Sequence, residues 1–272
     1  AAPTAIEIFE FFDQLELPIY EVFGQSECTG PQVLNYPAND KMPGAYKIGW
    51  AGPAMPGTAM KIVPETQELV YTGRHIMMGY LHEAEKTAET IDAEGWLHSG
   101  DQGEISDEGY LRITGRIKEL LITAGGENVA PVPIEAGIKE QLPAVSSVMV
   151  VGDRKPFLTA LVALKTEPDA YGQNSGNKLF AEALTEGERI GSSATTIEEA
   201  AADEKWAAYI SAGIAAANDK AVSRAQTVKR WVFLPVDFTV MGGELGPTLK
   251  LRRPQVLAKH EALIESVYSG EA

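Results

Sequence analysis

The chain is 272 residues long, 44% hydrophobic and 22% charged, a globular composition with room for one large domain or two ordinary ones. Its 23 Lys+Arg against 38 Asp+Glu leave a net charge of −15, which argues against a nucleic-acid binder or electrostatic docking on an anionic membrane, because both need basic patches. The single cysteine, Cys28, excludes an intrachain disulfide and a cysteine metal cluster, and a reducing compartment is the simpler expectation.

The first ten residues lack a basic start followed by an apolar run, so no signal peptide is expected there. No window reaches the ~20 apolar residues of a membrane span. The chain opens on Ala1 rather than Met, and with the motifs below this predicts a piece of a longer protein.

Residues 4–15 carry Ile8, Phe9 and Phe12 at helical spacing, with Pro18 beyond, and predict a helix. Residues 17–23 read as a short buried strand entering a loop at 24–31. From 49 to 115, short strands at 59–63, 68–71 and 110–114 alternate with Gly and Pro turns, with one short helix near 83–91, which predicts a small β-rich subdomain. Beyond Arg116 the pattern is α+β. A helix over 133–142 carries Ile134, Ile138 and Leu142 on one face, and strands at 145–152 and 157–164 pair across a turn at 153–156. The Gly-, Ser-, Asn-, Ala- and Glu-rich stretch 167–204 reads as a mobile excursion. A helix over 206–225, a strand at 231–234 and a final helix over 254–268 complete the chain, the last with Val256, Leu257, His260, Leu263, Ile264 and Val267 at helical spacing.

Four stretches could carry chemistry. In Phe23-Gly24-Gln25-Ser26-Glu27, an aromatic, a Gly open to a ligand, a hydroxyl and a carboxylate could stack a base, bond a phosphate and hold Mg²⁺. Alone, an ordinary strand-to-loop turn with a solvated Glu is the commoner origin of such a stretch. In 95–103, Asp101 lies between glycines and could accept both hydroxyls of a ribose, or simply close an Asx-turn. His98 in the same stretch has no evident partner for a general-base role. In 115–128, Arg116 and Lys118 lead a strand towards Gly125 and Gly126, as for a nucleotide and a thin ligand, or as a charge pair and a hairpin. In 246–253, Lys250 on a constrained loop could neutralise developing negative charge, or the basic run could cap the entry to the last helix. No P-loop, GxGxxG, HExxH or GxSxG motif is present, which removes those readings.

In order, the stretches YEVFGQSECTGP, GWLHSGDQGEISDEGYLRITGRIKELLITAGGENVAP and PTLKLRR resemble the adenylate-forming (AMP-binding) superfamily, most closely long-chain fatty acyl-CoA synthetases of the bubblegum type. The resemblance runs from about Leu17 to the C-terminus and is weakest in 167–204. It implies an α/β and α+β architecture. Residues 1–115 would be the C-terminal part of a large nucleotide- and acyl-binding domain. Residues 116–272 would be a small mobile α+β domain carrying the adenylation lysine.

By position, Phe23 would stack on adenine with Gly24 beside it. Ser26 would meet the phosphate and Glu27 would hold Mg²⁺. Asp101 would take the ribose hydroxyls with help from Arg116, and Lys118 would be the hinge. Gly125 and Gly126 would approach the pantetheine channel, and Lys250 would contact the acyl carboxylate and α-phosphate. The implied activity is ATP-dependent conversion of a long-chain fatty acid through acyl-AMP to acyl-CoA, with ATP, Mg²⁺ and CoA required. Implied partners are these substrates and a missing N-terminal portion of the same protein, with no nucleic acid. The implied location is cytoplasmic, with peripheral membrane association left open.

The family's Ser/Thr/Gly-rich phosphate loop ending in Lys has no counterpart in the 272 residues, so this chain alone is expected to be inactive. Two other readings remain open: an adenylating enzyme for another carboxylic acid or a carrier-protein thiol, and a non-enzymatic half-protein. A half-domain would leave a large apolar surface exposed.

Overall fold

A computed structural model describes residues 6–37, 46–169 and 172–270; residues 4–5 of the expected first helix lie outside this range. The chain divides into two compact units, Ala1–Leu120 and Leu121–Ala272.

In the first unit, helix α1 (Ile6–Gln14) turns Phe9 inward, where it is 4% exposed, but leaves Ile8 and Phe11 at 46% and 57%. The expected buried strand at 17–23 shortens to β1 (Val22–Phe23), paired antiparallel with β2 (Val33–Leu34). Leu15, Leu17, Ile19, Tyr20 and Val22 are all exposed, so this unit leaves an apolar face uncovered. The core is a five-stranded sheet of β3 (Gly52–Pro53), β4 (Thr58–Ile62), β5 (Glu68–Gly73), β6 (Leu97–Ile105) and β7 (Tyr110–Arg116), ordered β3-β7-β6-β5-β4 with antiparallel neighbours. The short helix α2 (Ala84–Thr90) interrupts it. Leu69, Tyr71, Leu97 and Leu111 point to one face and bury there with Cys28 and Val33, as the two-residue period of a half-covered sheet demands.

Strand β6, like the two-residue strands β2 and β3, was not assigned from the sequence. Its SGDQG run has strong turn formers, yet it lies near the middle of the sheet because both neighbours supply cross-strand partners. A 3₁₀ turn, Ile117–Glu119, follows β7 and ends the unit.

The second unit begins with the small hairpin β8 (Leu121–Ile122) and β9 (Asn128–Val129) and helix α3 (Pro131–Gln141). Its centre is a sheet of β10 (Val145–Val151), β11 (Leu158–Leu164) and, further along the chain, β14 (Val228–Phe233). Strand β10 runs antiparallel to β11, and β14 parallel to it. Every residue of β11 is buried because both sheet faces are covered, which explains its unbroken apolar run. Val148, Val150, Ala160 and Val162 face one cluster with Ile138, Trp206 and Ile210; Met149, Val151, Leu161 and Ala163 face another with Val256 and Ile264. Each large side chain so buried contributes about 1.5–3 kcal/mol of transfer free energy.

The stretch expected to be a mobile excursion is built into this unit. Strands β12 (Thr166–Pro168) and β13 (Asn174–Leu179) pair, and helices α4 (Glu182–Arg189) and α5 (Ile197–Ala201) follow. Leu179, Ala183, Ile197 and Ala200 join the first cluster; its polar composition reflects solvated outer faces around a few small apolar contacts. Helix α6 (Glu204–Asp219) ends six residues before the expected 225. The expected single helix at 254–268 is two, α7 (Arg253–Lys259) and α8 (Glu261–Ser269), broken at His260, whose ψ of 19° leaves the helical range. Val256, Ile264 and Val267 are buried as expected, whereas Leu257 is 41% exposed.

Candidate functional site

The first unit gathers most of the nucleotide-binding candidates around Asp101, which is 4% exposed. Between β5 and β6 the register slips: Val70 faces His98 while Glu68 faces Gln102. The extra residues of β6 bulge, and bulges commonly re-aim a side chain. Local side chains replace the interrupted ladder. The Ser99 hydroxyl donates to the Leu69 carbonyl at 2.6 Å, the Asp101 amide donates to Ser99 Oγ at 3.0 Å, and the Gly100 amide donates to Glu68 Oε1 at 2.9 Å. Gly100 has φ +69°, a left-handed conformation that favours glycine. Ser99 and Gly100 thus shape this bulge, and Asp101 takes part in it through its backbone amide.

The Asp101 carboxylate is held on both oxygens. Arg116 Nε donates to Oδ1 at 2.8 Å, and the two residues are cross-strand neighbours. Gln25 Nε2 donates to Oδ2 at 2.9 Å and to the Ser99 carbonyl at 2.8 Å. The Tyr71 hydroxyl donates to Gln25 Oε1 at 2.9 Å and fixes which way the amide points. Burial, followed by the Cys28 thiol, pushes the Tyr71 phenol well above its ordinary value, so it remains a protonated donor at neutral pH.

Gln25 belongs to the loop that follows Phe23. Cys28 Sγ donates to the carbonyls of Gln25 and Gly30 at 3.3 and 3.1 Å, and the Met77 amide donates to the Glu27 carbonyl at 2.8 Å. The loop therefore holds Phe23 edge-on to Tyr71, 6.4 Å between ring centroids, with Ser26 exposed and Glu27 half-buried. The Tyr80 hydroxyl donates to Glu27 Oε1 at 2.7 Å, a bond that leads the causes raising the Tyr80 pKa. Gly24 is needed by the loop itself: a Cβ there would lie 2.8 Å from the Gly30 carbonyl oxygen. His98 does have partners, with Nδ1 2.8 Å from Glu68 Oε2 and Nε2 3.7 Å from Asp92 Oδ2.

Phe23, Gly24, Ser26, Glu27, Asp101 and Arg116 thus share one unit, with Gln25 and Tyr71 linking the loop to Asp101. Lys118 is exposed in the 3₁₀ turn that ends this unit. The second unit holds the other candidates. Gly125 and Gly126 sit in the exposed turn of the β8–β9 hairpin. Lys250 is exposed beside a tight turn closed by Gly246 N to Lys250 O at 2.8 Å and Leu249 N to Gly246 O at 2.8 Å.

Sequence reasoning missed Gln25, Tyr71 and Tyr80. Gln25 stood inside the quoted motif, but nothing in its local spacing gave its amide a role. Tyr71 and Tyr80 were legible only as strand and loop aromatics.

Residues 118–199 match the AMP-binding enzyme C-terminal domain family. The chain is similar to long-chain-fatty-acid–CoA ligases: 44% identical over 275 residues to ACSBG2 of Gallus gallus, and 42% over 277 residues to ACSBG1 of Rattus norvegicus. These matches cover 99% and 100% of this chain but only 35% and 38% of those relatives. The fold is also that of the adenylation domain of a carboxylic acid reductase from Segniliparus rugosus, solved with AMP, with a TM-score of 0.71 at 21% identity over 100% of this chain and 39% of that one. An ATP-bound RpMatB-BxBclM chimera superposes with a TM-score of 0.65 at 23% identity, covering 97% of this chain and 45% of that one.

Proposed function

We propose that the full-length protein activates a long-chain fatty acid with ATP and transfers the acyl group to CoA. The observation that carries this reading is 44% identity along 99% of the chain to a long-chain-fatty-acid–CoA ligase. The buried Asp101 and the loop at 23–27, joined through Gln25, give the chemistry a place to act.

The donor set fits a nucleotide. Asp101 is an acceptor whose two oxygens are oriented by Arg116 and Gln25, suited to a pair of ribose hydroxyls. Phe23 offers an aromatic ring and Ser26 an exposed hydroxyl beside it. Glu27, held on one oxygen by Tyr80, is a hard oxygen donor of the kind Mg²⁺ takes, and a cation carried on phosphates needs only one or two carboxylates. Mg²⁺ would supply charge neutralisation across the phosphates.

In the first step, a carboxylate oxygen of the fatty acid attacks the α-phosphorus of ATP, and the bond to pyrophosphate breaks. Lys250 neutralises charge that develops there. In the second, the CoA thiol attacks the acyl carbonyl, AMP leaves and the thiol proton is released. We read residues 1–115 as part of the large substrate-binding domain and residues 116–272 as the small domain that brings Lys250 to the first step, with Lys118 as the hinge. Gly125 and Gly126 are read as the turn that approaches the pantetheine arm. The apolar face formed by α1 and residues 15–22 would be covered by the N-terminal portion of the protein.

Among the described residues no helix is long and apolar enough to cross a membrane. From the resemblance we place the protein in the cytoplasm, with peripheral membrane association left open, and cell fractionation of the full-length protein tests this. The activity test is fatty-acid-dependent ATP–pyrophosphate exchange by the full-length protein, followed by thioester formation with CoA or with a carrier protein. Exchange lost in Lys250→Ala, with CoA as the preferred acceptor, is the expected result. Exchange that does not depend on fatty acid overturns the reading.

A further inference from the structure

The turn that presents Lys250 is anchored from beneath by Glu244, a residue that nothing above assigns a role. Glu244 is 2% exposed, and an acidic residue is rarely so buried without partners. Its carboxylate forms an ion pair with Lys259 at the end of α7 and accepts the Thr239 amide at 3.4 Å. Its main-chain carbonyl accepts the Arg252 amide at 2.7 Å. The next residue, Leu245, bridges to Leu251, and the turn closes above that bridge. A hydrogen-bonded ladder therefore runs from the Glu244 main chain to the backbone of Lys250, while the Glu244 carboxylate ties the base of that ladder to Lys259 and to the Thr239 amide.

Two further features show that the arrangement is over-determined. Leu249, immediately before Lys250, has φ +59°, a left-handed conformation that a branched side chain adopts only where its surroundings compel it. Gly242 has no room for a Cβ, which would collide with Glu244 Oε2 and lie 2.8 Å from Thr239 Oγ1. Burial alone would raise the Glu244 pKa, but the bonds from Lys259 and from the backbone outweigh it and hold the carboxyl below its ordinary value. The ion pair is therefore intact at neutral pH.

We propose that Glu244, through its pair with Lys259, is a positioning residue that sets the geometry of Lys250. This rests on the reading of Lys250 as the adenylation lysine. Glu244 touches no substrate; it acts by holding the stem from which Lys250 projects. Small displacements of a catalytic group cost rate steeply, up to about 100-fold for roughly 1 Å. The consequence is confined to adenylation, because Lys250 acts in that step alone.

The two half-reactions of the full-length protein test this separately. Glu244→Gln should lower kcat for ATP–pyrophosphate exchange by roughly 10- to 100-fold, with KM for ATP and fatty acid little changed. Conversion of preformed fatty acyl-AMP and CoA to thioester should stay within about twofold, a split that general loss of fold does not produce. Lys259→Met should repeat the Glu244→Gln pattern, and Lys259→Arg, which keeps the charge, should restore exchange. If Glu244→Gln does not fold, the two Lys259 variants decide alone. Equal losses in both half-reactions overturn the proposal, as does unchanged exchange in variants tested beside a Lys250→Ala control that has lost it. If Lys250→Ala itself retains exchange, the adenylation reading has failed and this inference falls with it.

Discussion

Glu135 on α3 accepts both terminal nitrogens of Arg253, 118 residues further along, at 2.8 and 2.7 Å. Both side chains are about nine-tenths buried, and Glu135 Oε1 also accepts the Val150 amide at 2.7 Å. A helix, the edge of the central sheet and the start of α7 are thereby joined at one carboxylate. Removing either partner leaves the other charge buried, a loss of about 3–5 kcal/mol. Glu135→Gln and Arg253→Met should each lower the melting temperature of the second unit by roughly 6–20 °C, at about 2–4 °C per kcal/mol. The double variant Glu135→Leu, Arg253→Met should recover much of that. Calorimetry checks this, and equal instability in the double variant would show that the pair itself is not the cause.

The bond from Tyr71 to Gln25 orients the amide that orients Asp101. Tyr71→Phe leaves Gln25 Oε1 without this donor, and Gln25→Leu removes the donor to Asp101 Oδ2. Each should weaken AMP binding to the full-length protein by about 1–2 kcal/mol, roughly 5- to 30-fold. Titration calorimetry with AMP and its 2′-deoxy analogue measures this. The variants should narrow the difference between the two ligands, because the ribose hydroxyls are what Asp101 is read as holding. An unchanged difference would place the ribose elsewhere.

Acid should destabilise the second unit in two stages. Burial first, then Lys259, lowers the His260 pKa below 6.5, against an opposing pull from Glu244, and Glu244 itself lies below 4.5. Both groups bind protons more readily in the unfolded chain, so stability falls as the pH drops, from about 6.5 downward for His260 and from about 4.5 downward for Glu244. Melting temperatures between pH 7.5 and 4 check the assignment. His260→Gln should flatten the first stage and Glu244→Gln the second; a variant slope equal to the parent's would remove that group from the account.

Phe11, Leu17 and Val22 are 57%, 59% and 53% exposed along one short stretch. Contiguous apolar surface of this kind binds hydrophobic dyes and promotes association. The 272-residue chain should bind anilinonaphthalene sulfonate, and Phe11→Glu with Leu17→Lys should cut the signal by more than half without lowering the melting temperature. Dye binding that survives both substitutions would locate the exposed surface elsewhere.

Much of the fold was legible because it rests on local periodicity. The apolar runs at 145–152 and 157–164, separated by a turn at 153–156, predicted the β10–β11 pair, and Ile138 with Leu142 marked the buried face of α3. The stretch at 167–204 misled because a few small residues, Ala183 and Ala200 among them, carry its packing while the polar majority faces water. The final helix misled in the other direction: its apolar spacing continues across His260 although the backbone does not. The motifs at 23–27, 95–101 and 246–253 named the candidate residues but not their supports.

What the sequence by itself determined is the set of chemical groups: an aromatic, a hydroxyl and a carboxylate at 23–27, an acid at 101 and a lysine at 250, with the strands and helices that bear them. Only the tertiary structure decided how those groups are held. Gln25 meets Asp101 across 76 residues of chain, and Glu244 meets Lys259 across a turn and a helix. Periodicity reports which face of an element is buried, because burial is a local average over neighbours. Which polar atom meets which depends on strand register, a bulge and the seating of one helix, and those are settled by the packing of the whole unit.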